Sequence, residues 1–179
     1  MCVDDSHLTY ADNDSFEGFL NRHLNITKFE FMLIGSRQKL NSLSALPALE
    51  INGTQLNRIN FIKSLGVLID ENWTWSNHIN AITKKVSSGI GSIKRISHCV
   101  PPATLYNIYH GLVQSHFDYR SVVWGNCAKT LSDKLQRLQM WAVRILTDTS
   151  YDADANQLLK ELGWDNLEPR FQKLKAEMV

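Results

Sequence analysis

An α+β fold, a small antiparallel sheet followed by a helical bundle, is what this sequence predicts, and three observations predict it. Apolar and polar residues alternate between turn formers up to about residue 72. Beyond Ser76 the apolar positions recur every three or four residues. Between these regimes, Asn52-Gly53 sits between alternating segments, the strongest short-range signal for a type I′ hairpin. The chain has 179 residues and 44% hydrophobic content, enough for one core or a core with a satellite.

The strand region begins with Cys2 and Val3, then Leu8 and Tyr10, read as two short strands joined by a turn that carries Asp4 and Asp5. Adjacent carboxylates offer hard oxygen ligands of the kind Mg2+ prefers, while Asp-Asp-Ser-His is equally an ordinary polar turn. A short helix is predicted over residues 15–28, with Phe16, Phe19, Leu20 and His23 near one face. Phe29 to Ile34 reads as a buried strand closed by Gly35-Ser36, and the polar stretch to Ser44 as a loop. The hairpin occupies Ala48 to Leu56, and Lys63 to Asp70 adds one more strand.

The helical region starts near Ser76, a suitable N-cap. Its first helix carries Ile79, Ile82, Val86, Gly89, Ile93 and Ile96 on one face and Lys84, Lys85, Lys94 and Arg95 on the other. Pro101-Pro102 ends it and opens a second helix, whose stripe is Leu105, Ile108, Tyr109, Leu112, Val113 and His116. A turn at Trp124-Gly125-Asn126 leads to a third helix with Leu131, Leu135, Leu138, Ala142 and Ile145. A fourth begins near Ala155 and carries Leu158, Leu159 and Leu162, and residues 168–179 form a final amphipathic helix. The domains expected are residues 1–72 and 73–179.

Composition narrows the function classes. No apolar run approaches the roughly 20 residues of a membrane span, and the acidic start lacks the pattern of a signal peptide, so an intracellular protein with no membrane partner is expected. Cys2, Cys99 and Cys127 are odd in number and widely spaced, which argues against a disulfide framework or a zinc site. The net charge of +1 hides segregation. Asp4, Asp5, Asp12, Asp14 and Glu17 precede the first basic residue, Arg22. From residue 84 to 150, nine Lys and Arg face Asp118, Asp133 and Asp148 alone. A basic helical half suits a phosphate backbone, and equally a solvated helix face.

Taken in order, the motifs resemble a known family. Met1-Cys2-Val3-Asp4-Asp5 resembles the x-x-Asp-Asp catalytic turn of reverse transcriptases from non-LTR retrotransposons of the LINE and jockey type, with Cys2 and Val3 as departures. The segment from Leu24 to Ile34, with Asn25 and Lys28 ahead of a buried strand, looks like the palm motif that follows. Lys63-Ser64-Leu65-Gly66-Val67-Leu68-Ile69-Asp70 looks like the primer-grip strand, and Trp73-Thr74-Trp75-Ser76-Asn77-His78-Ile79 is similar to the start of the thumb. Tyr119, Val123-Trp124-Gly125-Asn126 and Leu135-Gln136-Arg137-Leu138-Gln139 resemble the region after the polymerase core.

The resemblance implies that residues 1–72 are part of a palm and residues 73–179 a thumb and post-thumb region. It implies that Asp4 and Asp5 bind catalytic Mg2+ in an intact relative, that Lys28 is placed to protonate departing pyrophosphate, and that Leu65 and Gly66 hold the primer end. An RNA/DNA template–primer duplex is the implied partner, met by Lys84, Lys85, Lys94 and Arg95. The fingers and the first catalytic aspartate have no counterpart, and the stretch between Asp14 and Leu24 is shorter than the family's, as an internal deletion would leave it. A fragment inactive alone, prone to self-association through exposed sheet edges, is therefore expected. Two other readings stay open: a nucleic-acid-binding helical module, and a helical protein-interaction relic. Trp73, Trp75, Trp124 and Trp141 divide them, since they serve either as base-stacking surfaces or as core.

Overall fold

The computed structural model describes residues 28–42, 48–51 and 53–178. The Asp4-Asp5 turn and nearly all of the helix expected over residues 15–28 lie outside the described residues. The chain divides into two compact units between Trp73 and Thr74.

The first unit is built of short strand pairs. β1 (Glu30–Phe31) pairs in parallel with β4 (Asn57–Arg58), Glu30 opposite Asn57 and Phe31 opposite Arg58. β2 (Glu50–Ile51) and β3 (Thr54–Gln55) form the expected hairpin, with Gly53 at a φ of 71° that a side chain would resist. The strand expected over Lys63–Asp70 is instead a hairpin of β5 (Phe61–Ser64) and β6 (Val67–Asp70). Leu65 and Gly66 are its two-residue loop, at φ 46° and 83°, the left-handed pair that a type I′ turn requires. Among the described residues the strands form three two-stranded pairs, of which β1–β4 is parallel, so the expected α+β class holds with the strands in small separate pairs. The expected loop after Gly35 contains a helix, α1 (Arg37–Ser42), begun by the Lys39 amide donating to Ser36 Oγ at 3.3 Å. An ion pair from Arg58 to Glu71 at 2.8 Å ties β4 to the end of the second hairpin.

The second unit is helical. α2 (Ser76–Ile96) buries His78, Ile79, Ile82, Val86, Ile90 and Ile93 on one face. Trp75 precedes it in a left-handed conformation, φ 62°, and Thr74 Oγ1 accepts from the Ser76 amide at 3.3 Å. α3 (Pro102–Tyr109) starts with proline, whose missing N–H costs nothing at a helix start. A π-helical turn, His110–Gln114, then leads into α4 (Ser115–Asp118).

That turn explains why the buried set here is Leu105, Tyr109, Val113, Gln114 and Phe117, with Leu112 at 46% exposure. Twelve positions of plain α-helix would rotate Phe117 by about 120° away from Leu105. One extra residue in a wide turn takes back about 100° and keeps both in the core. α2 packs along α6 (Lys129–Leu146) and against the π turn. There a Cβ on Gly89 would stand 3.0 Å from the Leu112 carbonyl oxygen, so only glycine permits that approach without displacement.

α5 (Ser121–Trp124) sinks Trp124 to 0% exposure, between His78 and Phe171 at ring centroid distances of 5.5 and 5.2 Å. α7 (Ala155–Glu161) is capped by Asp154, whose carboxylate accepts from the Asn156 amide at 2.9 Å. It closes at Gly163, φ 67°, with the Trp164 amide donating to the Leu159 carbonyl at 2.8 Å. α8 (Leu167–Ala176) finds its N-terminal acceptor on another helix, since Gln136 Oε1 of α6 takes the Leu167 amide at 2.9 Å. Among the described residues no helix is long and apolar enough to cross a membrane.

Candidate nucleic-acid interface

A helix with one buried face must present the other, and on α2 that other face is basic. Lys84, Lys85, Lys94 and Arg95 are all exposed. At 100° per residue, Lys84 and Arg95 fall within about 20° of each other and about 16 Å apart along the axis. Ser88 and Gly91 lie between them near the same line, with Ser92 about 60° to one side, so nothing bulky separates the two cations. Arg95 Nη2 is steadied by Ser92 Oγ at 3.0 Å.

Lys85 and Lys94 leave the helix on opposite flanks of that line. Lys85 is close enough to His78 and His116 that its charge helps hold both imidazoles below their ordinary value, burial being the larger cause for each. The four residues are therefore one row of two with a cation on each side. Lys134 of α6 joins the row. Its Nζ donates to Asn80 Oδ1 at 2.8 Å, and Asn80 lies one turn before Lys84. A spacing of 54 residues between partners leaves no signal in a single sequence.

Lys28 is exposed just ahead of β1, and Leu65 and Gly66 occupy the hairpin tip, where Leu65 is 63% exposed. Asp4 and Asp5 lie outside the described residues. Among the described residues no group of three or more His, Cys, Asp or Glu side chains is placed to hold a metal ion. Of the tryptophans, Trp75 and Trp124 are core, Trp141 is half-buried and Trp73 is 50% exposed.

Behind the basic face runs a chain of polar contacts that residue patterns did not reveal. Tyr109 Oη donates to Gln114 Oε1 at 2.9 Å, Gln114 Nε2 donates to Asp118 Oδ1 at 2.9 Å, and Arg170 grips both Asp118 oxygens at 2.7 Å each. Burial drives the Tyr109 phenol far above its ordinary value, so it stays a neutral donor. A cleft of about 350 Å³ opens between α5 and α8 beside Gly125, Cys127, Lys129 and Glu168. Its Lys129 pairs with Asp133 at 3.2 Å and Glu168 at 3.4 Å, and Lys175 lines the same cleft.

One comparison with known proteins supports a distant relationship to a retrotransposon reverse transcriptase. The chain is 24% identical over 151 residues to a Drosophila melanogaster protein described as a probable RNA-directed DNA polymerase from transposon BS. The alignment covers 75% of this chain and 15% of that protein, so the chain spans a small part of its relative. No family model matches the chain, and no solved structure does.

Proposed function

We propose that this chain is the C-terminal palm and thumb part of a retroelement RNA-directed DNA polymerase, and that its helical unit binds the template–primer duplex through α2. The observation that carries the reading is the exposed pair Lys84 and Arg95, flanked by Lys85 and Lys94, on one long helix whose opposite face is core. Each cation set against a phosphate releases condensed counterions, and a row of about 16 Å spans roughly five base steps of one strand. Ser88, Gly91 and Ser92 let the helix lie close to a sugar–phosphate backbone, which longer side chains would prevent. An RNA/DNA hybrid is read through its shape, backbone and 2′-hydroxyls, and a short polar face serves that mode.

On the same reading, Leu65 and Gly66 present the hairpin tip to the primer end, Lys28 supplies a proton to pyrophosphate, and Asp4 and Asp5 are the carboxylates for magnesium. The described residues do not themselves fit a two-metal centre, and paired-metal chemistry needs carboxylates from more than one segment. The chain alone is accordingly expected to incorporate no nucleotides on a template. Incorporation that disappears in Asp4→Asn would contradict this.

Duplex binding is tested by titrating the chain with an RNA/DNA hybrid across a salt series. Affinity should fall steeply with salt, and Lys84→Ala with Lys85→Ala should flatten the slope by roughly one unit per lost phosphate contact. Affinity indifferent to salt would favour a protein-interaction role.

A further inference from the structure

We infer that the cleft between α5 and α8 is a binding site for a small organic acid carrying a hydroxyl group, its carboxylate meeting Lys175 and its hydroxyl pairing with Ser121. The inference does not rest on the duplex reading, since the cleft shares no residue with the basic face of α2.

At about 350 Å³ the cleft is of the size that takes a small ligand, and its walls, α5 with the turn after it, the start of α6 and one stripe of α8, all belong to the helical unit. The α5 wall is fixed. The Gly125 amide donates to the Ser121 carbonyl at 2.6 Å, and a Cβ on Gly125 would stand 3.2 Å from the Phe171 ring, so α5 and α8 meet with no room to spare. Nε1 of the fully buried Trp124 donates to the Tyr119 carbonyl at 3.0 Å, which holds the turn leading into Ser121. On this backbone Ser121 lines the cleft at 1% exposure, and its hydroxyl has no hydrogen-bond partner among the described residues. A buried hydroxyl left unpaired forfeits its bonds to water, and a ligand group that pairs with it recovers that loss.

Charge along α8 sets the sign of the ligand. Glu168 and Lys175 both line the cleft, two turns apart, within about 20° of each other around the helix and about 10 Å apart along it. At the Glu168 end the charges are matched, because Glu168 and Asp133 share Lys129. Lys175 is exposed and pairs with no carboxylate among the described residues. One free cation favours one negative group beside it, and Glu168 opposes a second. Val122 and Phe171 supply apolar lining, and the half-buried Cys127 adds no charge, since burial raises its thiol above the ordinary value and keeps it protonated. A small apolar body with one carboxylate and one hydroxyl matches these three features: a free cation, apolar lining and an unpaired buried hydroxyl.

The test uses the full chain with benzoate, meta-hydroxybenzoate and para-hydroxybenzoate, each beside its uncharged amide. Two signals are read: the dissociation constant by ligand-observed NMR, and the rate of Cys127 alkylation by iodoacetamide, with the exposed Cys99 as internal control. At least one hydroxybenzoate should bind about three- to tenfold more tightly than benzoate and slow alkylation of Cys127 while leaving Cys99 unchanged. Its amide should bind about tenfold more weakly, and Lys175→Gln should bring the acid down to the affinity of the amide. Ser121→Ala removes the unpaired hydroxyl, so it folds at least as well, and should erase the advantage of the hydroxybenzoate over benzoate. No protection of Cys127 by any of the three acids, equal binding of acids and amides, or a hydroxybenzoate advantage that survives Ser121→Ala would each overturn the site.

Discussion

Of the buried apolar residues described, all but Val67 lie in the helical unit, whereas Ile34, Leu49, Phe61, Ile62, Leu65 and Trp73, all large and exposed, lie in the strand unit. The helices are held by side-chain burial around Trp124, Tyr109 and Phe117; the described strands are held by backbone pairing and the Arg58–Glu71 ion pair. Burial scales with apolar area removed from water, while a two-stranded pair is marginal by itself. The helical half has a buried core and a charged face, and the described strand half offers tips and faces for contact.

The largest effect follows directly. Trp124→Ala should destabilise the helical unit by about 3–5 kcal/mol, whereas Phe61→Ala in the exposed hairpin should cost no more than about 0.5 kcal/mol. Thermal melts followed by helical circular dichroism measure both, and equal losses would break the comparison.

A smaller effect is pH-dependent. Burial first, and the Lys85 charge second, hold the His78 imidazole below the ordinary histidine value of 6.5. Folding therefore favours the neutral ring. Its contribution is complete above 6.5 and is lost as pH falls from there through the lower folded value. The melting temperature should fall between pH 7 and pH 5, and less so in His78→Gln, which does not titrate. An unchanged slope would show that His78 is not part of the acid response, leaving His116, lowered for the same causes, as the remaining source.

The smallest effect lies at the hairpin tip. Leu65 is held at φ 46° while largely exposed, so Leu65→Gly should stabilise the chain by about 0.5–1 kcal/mol. If the same change weakens primer-end binding, the strain serves that contact; a loss of stability would mean that Leu65 is anchored by packing.

Much of this was legible from residue spacing. A helix does begin at Ser76, although its N-cap is Trp75 and not Ser76. Of the predicted apolar face Ile79, Ile82, Val86 and Ile93 are buried, His78 and Ile90 join them, and Gly89 and Ile96 are only partly covered, while Pro102 opens the next helix. A hairpin does form between Glu50–Ile51 and Thr54–Gln55, with Gly53 at its turn. The failures have physical causes. None of the six residues of α1 is buried, so the segment carries no apolar period that would mark it as a helix in the sequence. The π turn is invisible to a search for a 3.6-residue repeat, which is why Leu112 was placed in the core and Gln114 was not. The second hairpin was read as one strand because its tip is Leu-Gly instead of Asn-Gly, although Gly66 marked the place. Of the candidate interface, the row on α2 could be counted from the sequence. The approach of Lys134 to Asn80 and the clamp of Arg170 on Asp118 join residues far apart in the chain and could not.

The central claim, that α2 is a duplex-binding face and not merely one of several solvated basic surfaces, is tested by a charge-matched comparison. The salt dependence of RNA/DNA hybrid binding would be measured for the chain, for Lys84→Ala with Lys85→Ala, and for Lys173→Ala with Lys175→Ala on α8. The account predicts a slope flattened by roughly one to two units in the α2 variant and an unchanged slope in the α8 variant. Equal flattening in both, or no binding by the folded chain at low salt, would contradict it.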